Sequence, residues 1–231
     1  MATLLIIDTS STNCSVVISQ DEQLYEITSI KPKTHAKLLL SMIDELLARA
    51  KTSLMELDAL AVVSGPGSFT GLRIGIGVMQ GLAFALTKPV ILLSSLELLA
   101  VESASSVASD GIIASLKSKQ DEIYFACYKQ QENGEVELFD GEQVLAPAEV
   151  KFPTGGIDCK RWCGVGDGWQ YLTKFKTEIF NDSIDIDESL TISAKSLSKI
   201  AQSKFKNHLV VDAEKALPNY LKDQLDYKVA Q

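Results

Sequence analysis

The chain is poor in the side chains that hold soft metals, with four cysteines and two histidines in 231 residues. A zinc site takes about four N or S ligands at recurring spacings. Cys159 and Cys163 form a C-x-x-x-C pair with no second Cys or His pair beside it, so reduced thiols in a loop are expected there and no metal site. Cys14 and Cys127 fall in strand-like runs and read as buried thiols. The residue four after His35 is Leu39, so the i, i+4 histidine pair of a helical metallopeptidase is missing. A lone His35 reads as a hydrogen-bonding group at a helix start, and His208 lies far along the chain.

Long apolar runs are also lacking. No stretch approaches the roughly 18 uninterrupted apolar residues of a membrane span. The opening MATLLIIDTS has no basic segment ahead of its apolar run, and Asp8 ends that run early, so no signal peptide is expected. These features point to a cytoplasmic protein with no membrane partner. Positive charge is short as well: 22 basic against 30 acidic residues give −8. Binding nucleic acid rests on neutralising phosphates, so the chain is not expected to hold RNA unaided. Lys195, Lys199, Lys204 and Lys206 cluster on a predicted helix and read as a solvated face.

Two catalytic signatures are absent too. After Gly65 comes PGSFTGLR, without the lysine of G-x-x-x-x-G-K-[ST]. No G-x-S-x-G elbow appears, so no catalytic residue is assigned.

What is present alternates strands and helices. Residues 3–8 form a continuous apolar run, and 15–19 and 23–30 read as a hairpin about Gln20-Asp21-Glu22. Pro32 breaks the pattern and Thr34 suits a helix N-cap. Over 36–50, Leu39, Met42, Ile43, Leu46, Leu47 and Ala50 recur at three- and four-residue steps, the mark of a one-faced helix. Strands follow at 57–64 and 90–93, with helices over 71–86 and 95–108. The later chain reads as strands at 111–116, 122–129 and 135–138, loops around a short strand over 152–168 punctuated by Gly164, Gly166 and Gly168, a helix over 193–205 and a strand at 209–211. Asn133-Gly134 is a hairpin signal. Both halves open with hairpin strands, a weak internal duplication within a mixed sheet architecture.

The segment 65–81, GPGSFTGLRIGIGVMQG, is read as a strand-to-helix corner that serves packing rather than chemistry. At about 100° per residue, Gly71, Ile74, Gly75, Gly77, Val78, Gly81, Leu82 and Ala85 gather on one side. Each interior glycine costs roughly 1 kcal/mol against alanine, so four of them call for a close approach. That approach is either by the protein's own sheet or by a partner, and different sectors of the face can serve each. Asp8-Thr9-Ser10 follows the first strand, where actin-like nucleotide enzymes place a phosphate-facing turn; a self-capped hairpin turn is the alternative.

Taken together, 4–18 (LLIIDTSSTNCSVVI), 34–47 (THAKLLLSMIDELL), 65–83 (GPGSFTGLRIGIGVMQGLA) and 216–222 (ALPNYLK) resemble the TsaB family, also called YeaZ. These are accessory subunits of the bacterial machinery that makes threonylcarbamoyladenosine in tRNA. The resemblance covers nearly the whole chain and is weaker between 150 and 193. It implies an α/β, actin-like and sugar-kinase-like (ASKHA) two-lobed fold with mixed sheets flanked by helices. The lobes expected are 1–100, joined by the tail 213–231, and 101–212. The resemblance also implies a noncatalytic scaffold that dimerises with the catalytic paralogue TsaD, which modifies the adenosine beside the anticodon. The nucleotide-hydrolysing TsaE joins them, and tRNA is met only through the complex.

In the family the first two helices form the partner surface, which implies Leu39, Met42, Ile43, Leu46, Gly71, Ile74, Gly75, Val78, Gly81 and Leu82 here. Asp8, Thr9 and Ser10 would be a vestigial nucleotide loop. No cofactor is expected on the isolated chain, nucleotide is expected if anywhere at the complex interface, and a homodimer is expected when the partner is absent. The chain departs from the family at Ser64, where arginine or glycine is common, and at 116–119, Leu-Lys-Ser-Lys, where many relatives carry a DAR-like string. Competing readings are an independent actin-like ATP-dependent enzyme and a glycopeptidase-like metallopeptidase.

Overall fold

Three hydrophobic runs at the start of the chain form a meander. Leu4–Asp8 (β1) is buried throughout and pairs antiparallel with Cys14–Gln20 (β2), which pairs antiparallel with Gln23–Ser29 (β3). Asp21 and Glu22 both take positive φ between β2 and β3, the two-residue turn whose twist matches its strands. His35–Ala50 (α1) then leads to Ala59–Gly65 (β4), parallel to β1, and Phe69–Leu86 (α2) leads to Val90–Ser94 (β5), parallel to β4. The sheet order is β3-β2-β1-β4-β5. Both β1 and β4 are interior strands covered on two faces, which is why they read as unbroken apolar runs.

The computed structural model describes residues 1–30, 35–107, 109–119, 121–131, 134–151, 161–175 and 184–221. Pro32, Thr34, Asn133 and Cys159, each singled out above, lie outside them.

After β5, Ser95–Ser106 (α3) precedes a second sheet. Gly111–Lys117 (β6) pairs antiparallel with Ile123–Gln130 (β7), and β7 with both Val136–Leu138 (β8) and Gln143–Leu145 (β9). Trp162–Val165 (β10) runs parallel to β6, and Asp185–Asp187 (β11) parallel to β10. The order β8-β7-β6-β10-β11 repeats the first sheet strand for strand, in position and in direction.

Each sheet has its own core. In the first, Leu5, Ile7, Val16, Ile18, Leu60 and Val62 meet α1 and α2. In the second, Ile112, Ala114, Ala126 and Val165 meet Leu96, Leu99 and Ala100 of α3. On the other face Trp169, on the 3₁₀ segment Asp167–Lys174, is fully buried. Its ring nitrogen donates to the Ile113 carbonyl at 3.2 Å, and its ring stacks on Phe175 at 5.3 Å.

The chain divides into two units, Met1–Ser95 with Ser193–Asn219, and Leu96–Ile192 with Tyr220 and Leu221. Residues 193–212, placed in the second lobe above, thus belong with the first. Ala194–Lys206 (α4) is held there by side chains: Ser198 and Ser19 share a hydrogen bond of 2.9 Å, and the Gln202 amide donates to the Ala2 carbonyl at 2.7 Å. The symmetry of the chain explains the difference. Just as α3 follows the last strand of one sheet and packs in the other core, α4 follows β11 and returns to the first. Side-chain fit, not chain adjacency, decides where a helix lands. The tail through Asn219 also lies in the first unit, its N–H donating to the Ser64 carbonyl at 2.9 Å.

Smaller differences concern short elements. The strand expected at 209–211 is one bridge, Val211 to Val90, with two hydrogen bonds of 2.8 Å. β9, β11 and the 3₁₀ segment were not expected at all.

Candidate partner surface on the second helix

The glycine corner is built against the turn after β1. β4 ends on Gly65 at φ 128, a conformation open to glycine alone, and the following Gly65–Pro66 peptide is cis. Ser68 then caps α2: its hydroxyl accepts from the Gly71 N–H at 3.3 Å, and its own N–H donates to the Ser10 carbonyl at 2.7 Å. The Thr9 hydroxyl donates to the Gly71 carbonyl at 2.8 Å. Asp8 Oδ1 accepts from the Ser10 N–H at 2.8 Å and from the Ser10 hydroxyl at 2.6 Å. Asp8, Thr9 and Ser10 are therefore gathered at the N-terminus of α2, all buried.

No room is left at this helix start for an added side chain. A Cβ on Gly67 would lie 2.5 Å from the Ser10 carbonyl oxygen, while one on Gly71 or Gly75 would overlap the Thr9 carbonyl or the Thr9 hydroxyl. A helix N-terminus attracts anions through unpaired N–H groups. Here the Ser10 carbonyl and the Ser68 hydroxyl take the N–H groups of Ser68 and Gly71. Next to the turn, Cys14 is pushed up to about 11, first by burial and then by the charge of Asp8. Its thiol stays protonated and inert near neutral pH.

The two glycine pairs of α2 face different ways, about 120° apart around the axis. Gly71 and Gly75 are buried against Thr9, with Leu72, Ile76, Met79 and Ala83 continuing the buried side. Gly77 and Gly81 have open space where a Cβ would point. The sequence arc was about 160° wide, and its two ends diverge. Ile74, Val78 and Leu82, between the ends, are half-buried against the core.

On the outer side, Phe84 is 75% exposed and Phe69 47%, and the Arg73 guanidinium lies 3.7 Å above the Phe69 ring. By length and composition α2 is apolar enough to cross a membrane, a test that core helices also pass. Only 33% of it is buried in the chain. A large part of an apolar helix is thus left without cover from its own unit.

For α1 the expected surface is corrected. Leu39, Met42, Ile43 and Leu46 are buried in the first core, at most 5% exposed, and cannot meet a partner. Gly71 and Gly75 are corrected for the same reason. An amphipathic helix has one apolar stripe, and here the helix's own sheet takes it. Among the described residues of α1 the large apolar side chain that is exposed is Leu40, at 56%. Leu40, Phe69 and Phe84 were missed; the usable signal was a large apolar side chain out of phase with its helix's stripe.

Cys163 is buried in β10 rather than in a loop, within 3.6 Å of the Ser103 hydroxyl. Burial is the main cause that raises this thiol above its ordinary range. His35 opens α1 and His208 follows α4 at positive φ. Among the described residues no three His, Cys, Asp or Glu side chains gather into a metal-holding group.

Two mixed sheets of one strand order, each built from an antiparallel meander and parallel additions, define a duplicated α/β protein. The family model for TsaD, tRNA N6-adenosine threonylcarbamoyltransferase, matches residues 14–226. The tRNA threonylcarbamoyladenosine biosynthesis protein TsaB of Escherichia coli (strain K12) is 33% identical over 97% of this chain and 96% of its own. That of Haemophilus influenzae is 31% identical over 98% and 96%. The solved YeaZ from Pseudomonas aeruginosa superposes with a TM-score of 0.85 at 38% identity, covering 96% of this chain and 100% of its own. The chain belongs to the TsaB (YeaZ) family.

Proposed function

We propose that this chain serves tRNA threonylcarbamoyladenosine biosynthesis as a noncatalytic subunit, binding and ordering the catalytic paralogue TsaD in the cytoplasm. The carrying observation is the outer side of α2, where Gly77 and Gly81 are bare between exposed Phe69 and Phe84. Side-chain-free positions let a second helix approach closer than the usual 8–10 Å between axes. The flanking rings supply the apolar area that such a contact buries. Val78, Ile74 and Leu82 form its half-buried margin, and Leu40 is a further exposed apolar side chain on α1. In this reading TsaE and any nucleotide join at the assembled complex, tRNA is met through it, and the isolated chain covers the same face by forming a homodimer.

Co-expression with a tagged TsaD tests the reading. Wild-type chain should co-purify, and Phe84→Glu should fold normally yet be lost from the eluate, since a charge on that face cannot be desolvated cheaply. Equal recovery of both would sink the assignment of this face. The competing reading is an independent enzyme of the ATP-dependent or metallopeptidase kind. It would have to use Asp8, whose Oδ1 accepts from the Ser10 N–H and hydroxyl within its own turn. ATP hydrolysis by the purified chain, abolished by Asp8→Ala, would establish it instead.

A further inference from the structure

We infer that the outward ridge of α4 is a phosphate-contacting surface for RNA, used when the chain stands in its complex; this rests on the reading above. α4 carries four lysines and no acidic residue, in a chain of net charge −8. Lys195, Lys199 and Lys206 fall within about 40° of one another around the axis. All three are exposed. The fourth, Lys204, points about 180° away and donates to the Leu92 carbonyl at 3.2 Å, so it serves the fold. The ridge lysines stand about 6 and about 10 Å apart along the axis.

Helix stability does not account for this arrangement. Lys195 sits in the first turn, where the helix dipole disfavours a cation. Lys195 and Lys199 are a like-charge i, i+4 pair, which is also unfavourable. Only Lys206, in the last turn, suits its place. Lys195 therefore sits against the preference of the helix that carries it. An external line of negative charge would offset both effects.

The ridge is also separate from the proposed partner face. Side chains alternate across a strand. On β2, Ile18 belongs to the core under α1 and α2, whereas its neighbour Ser19 bonds Ser198 of α4. α4 therefore covers the opposite side of the first sheet from α2, leaving one side for protein and the other for RNA.

The test titrates a labelled tRNA transcript bearing the target adenosine with the purified complex of this chain and TsaD, from 50 to 200 mM salt. Assembly is read by size exclusion before RNA is added, which reports on the partner reading by itself. The Lys195→Gln, Lys199→Gln, Lys206→Gln triple variant should assemble normally. Its slope of log K against log salt should be shallower by about 2 to 3, with binding about tenfold weaker or more near physiological salt. Arginine at the same three positions should restore both slope and affinity. An unchanged slope and affinity in the glutamine triple would overturn the inference. So would loss of assembly before RNA is added, which would make the ridge a protein contact.

Discussion

Gly71 and Gly75 lie within about three turns of Gly77 and Gly81 on one helix, and the two pairs do opposite things. The inner pair admits the backbone and hydroxyl of Thr9, so the β1 turn, the corner and the helix start close on one another. The outer pair faces nothing in its own chain. A glycine in a helix interior costs about 1 kcal/mol whichever way it faces. The inner pair recovers that cost through packing already visible. The outer pair has a cost without an internal return, which is the reason to look for its contact elsewhere.

The largest expected effect tests the inner pair. Gly75→Leu must displace the Thr9 side chain and then Val62, whose methyl stands 3.5 Å from the added Cβ. Overpacking of this kind costs about 3 kcal/mol and, against such a closed site, more. Urea unfolding should show an early midpoint or no folded baseline. A midpoint within error of wild type would mean that the corner is looser than its contacts indicate.

A middle-sized effect is expected from Ser68→Ala at the same corner. The substitution removes the hydroxyl that accepts from the Gly71 N–H, and loss of such a cap costs about 1 kcal/mol. The measurement is the shift in urea midpoint at unchanged slope. No shift would show that the Ser10 carbonyl, which holds the Ser68 N–H at 2.7 Å, fixes the helix start without the cap.

How much of this was legible in the sequence follows from range and size. β1 and β4 are continuous apolar runs because they are covered twice, and α1 announces itself through one stripe at helical spacing. β9 and β11 are three-residue strands with polar members, defined by partners far along the chain. The segment Asp167–Lys174 reads as a loop because glycines flank and enter it, while its order comes from Trp169 reaching the Ile113 carbonyl. That α4 belongs to the first unit is invisible locally, since it depends on Ser19 and Ala2 nearly two hundred residues away. At the candidate site the glycines read in sequence as one face, whereas Gly71 and Gly75 are closed in and Gly77 and Gly81 are open. The stripe of α1 was assigned to a partner although its own sheet had first claim. A stripe can be buried only once, and the residues left over, Leu40 and Phe84, are the more informative ones.

The smallest effect on stability is expected at Gly77→Leu, and it is the sharpest test of the comparison. The new side chain would enter open space, so no clash opposes it. Leucine is the better helix former by roughly 0.8 kcal/mol, so the isolated chain should be unchanged or slightly more stable. Capture of TsaD should nonetheless fail, because a leucine on the outer side would hold an approaching helix away from the axis. The same variant thus separates two properties that Gly75→Leu destroys together. Should folded Gly77→Leu retain its partner normally, the outer glycines would carry no contact, and the exposed rings of Phe69 and Phe84 would have to account for the surface alone.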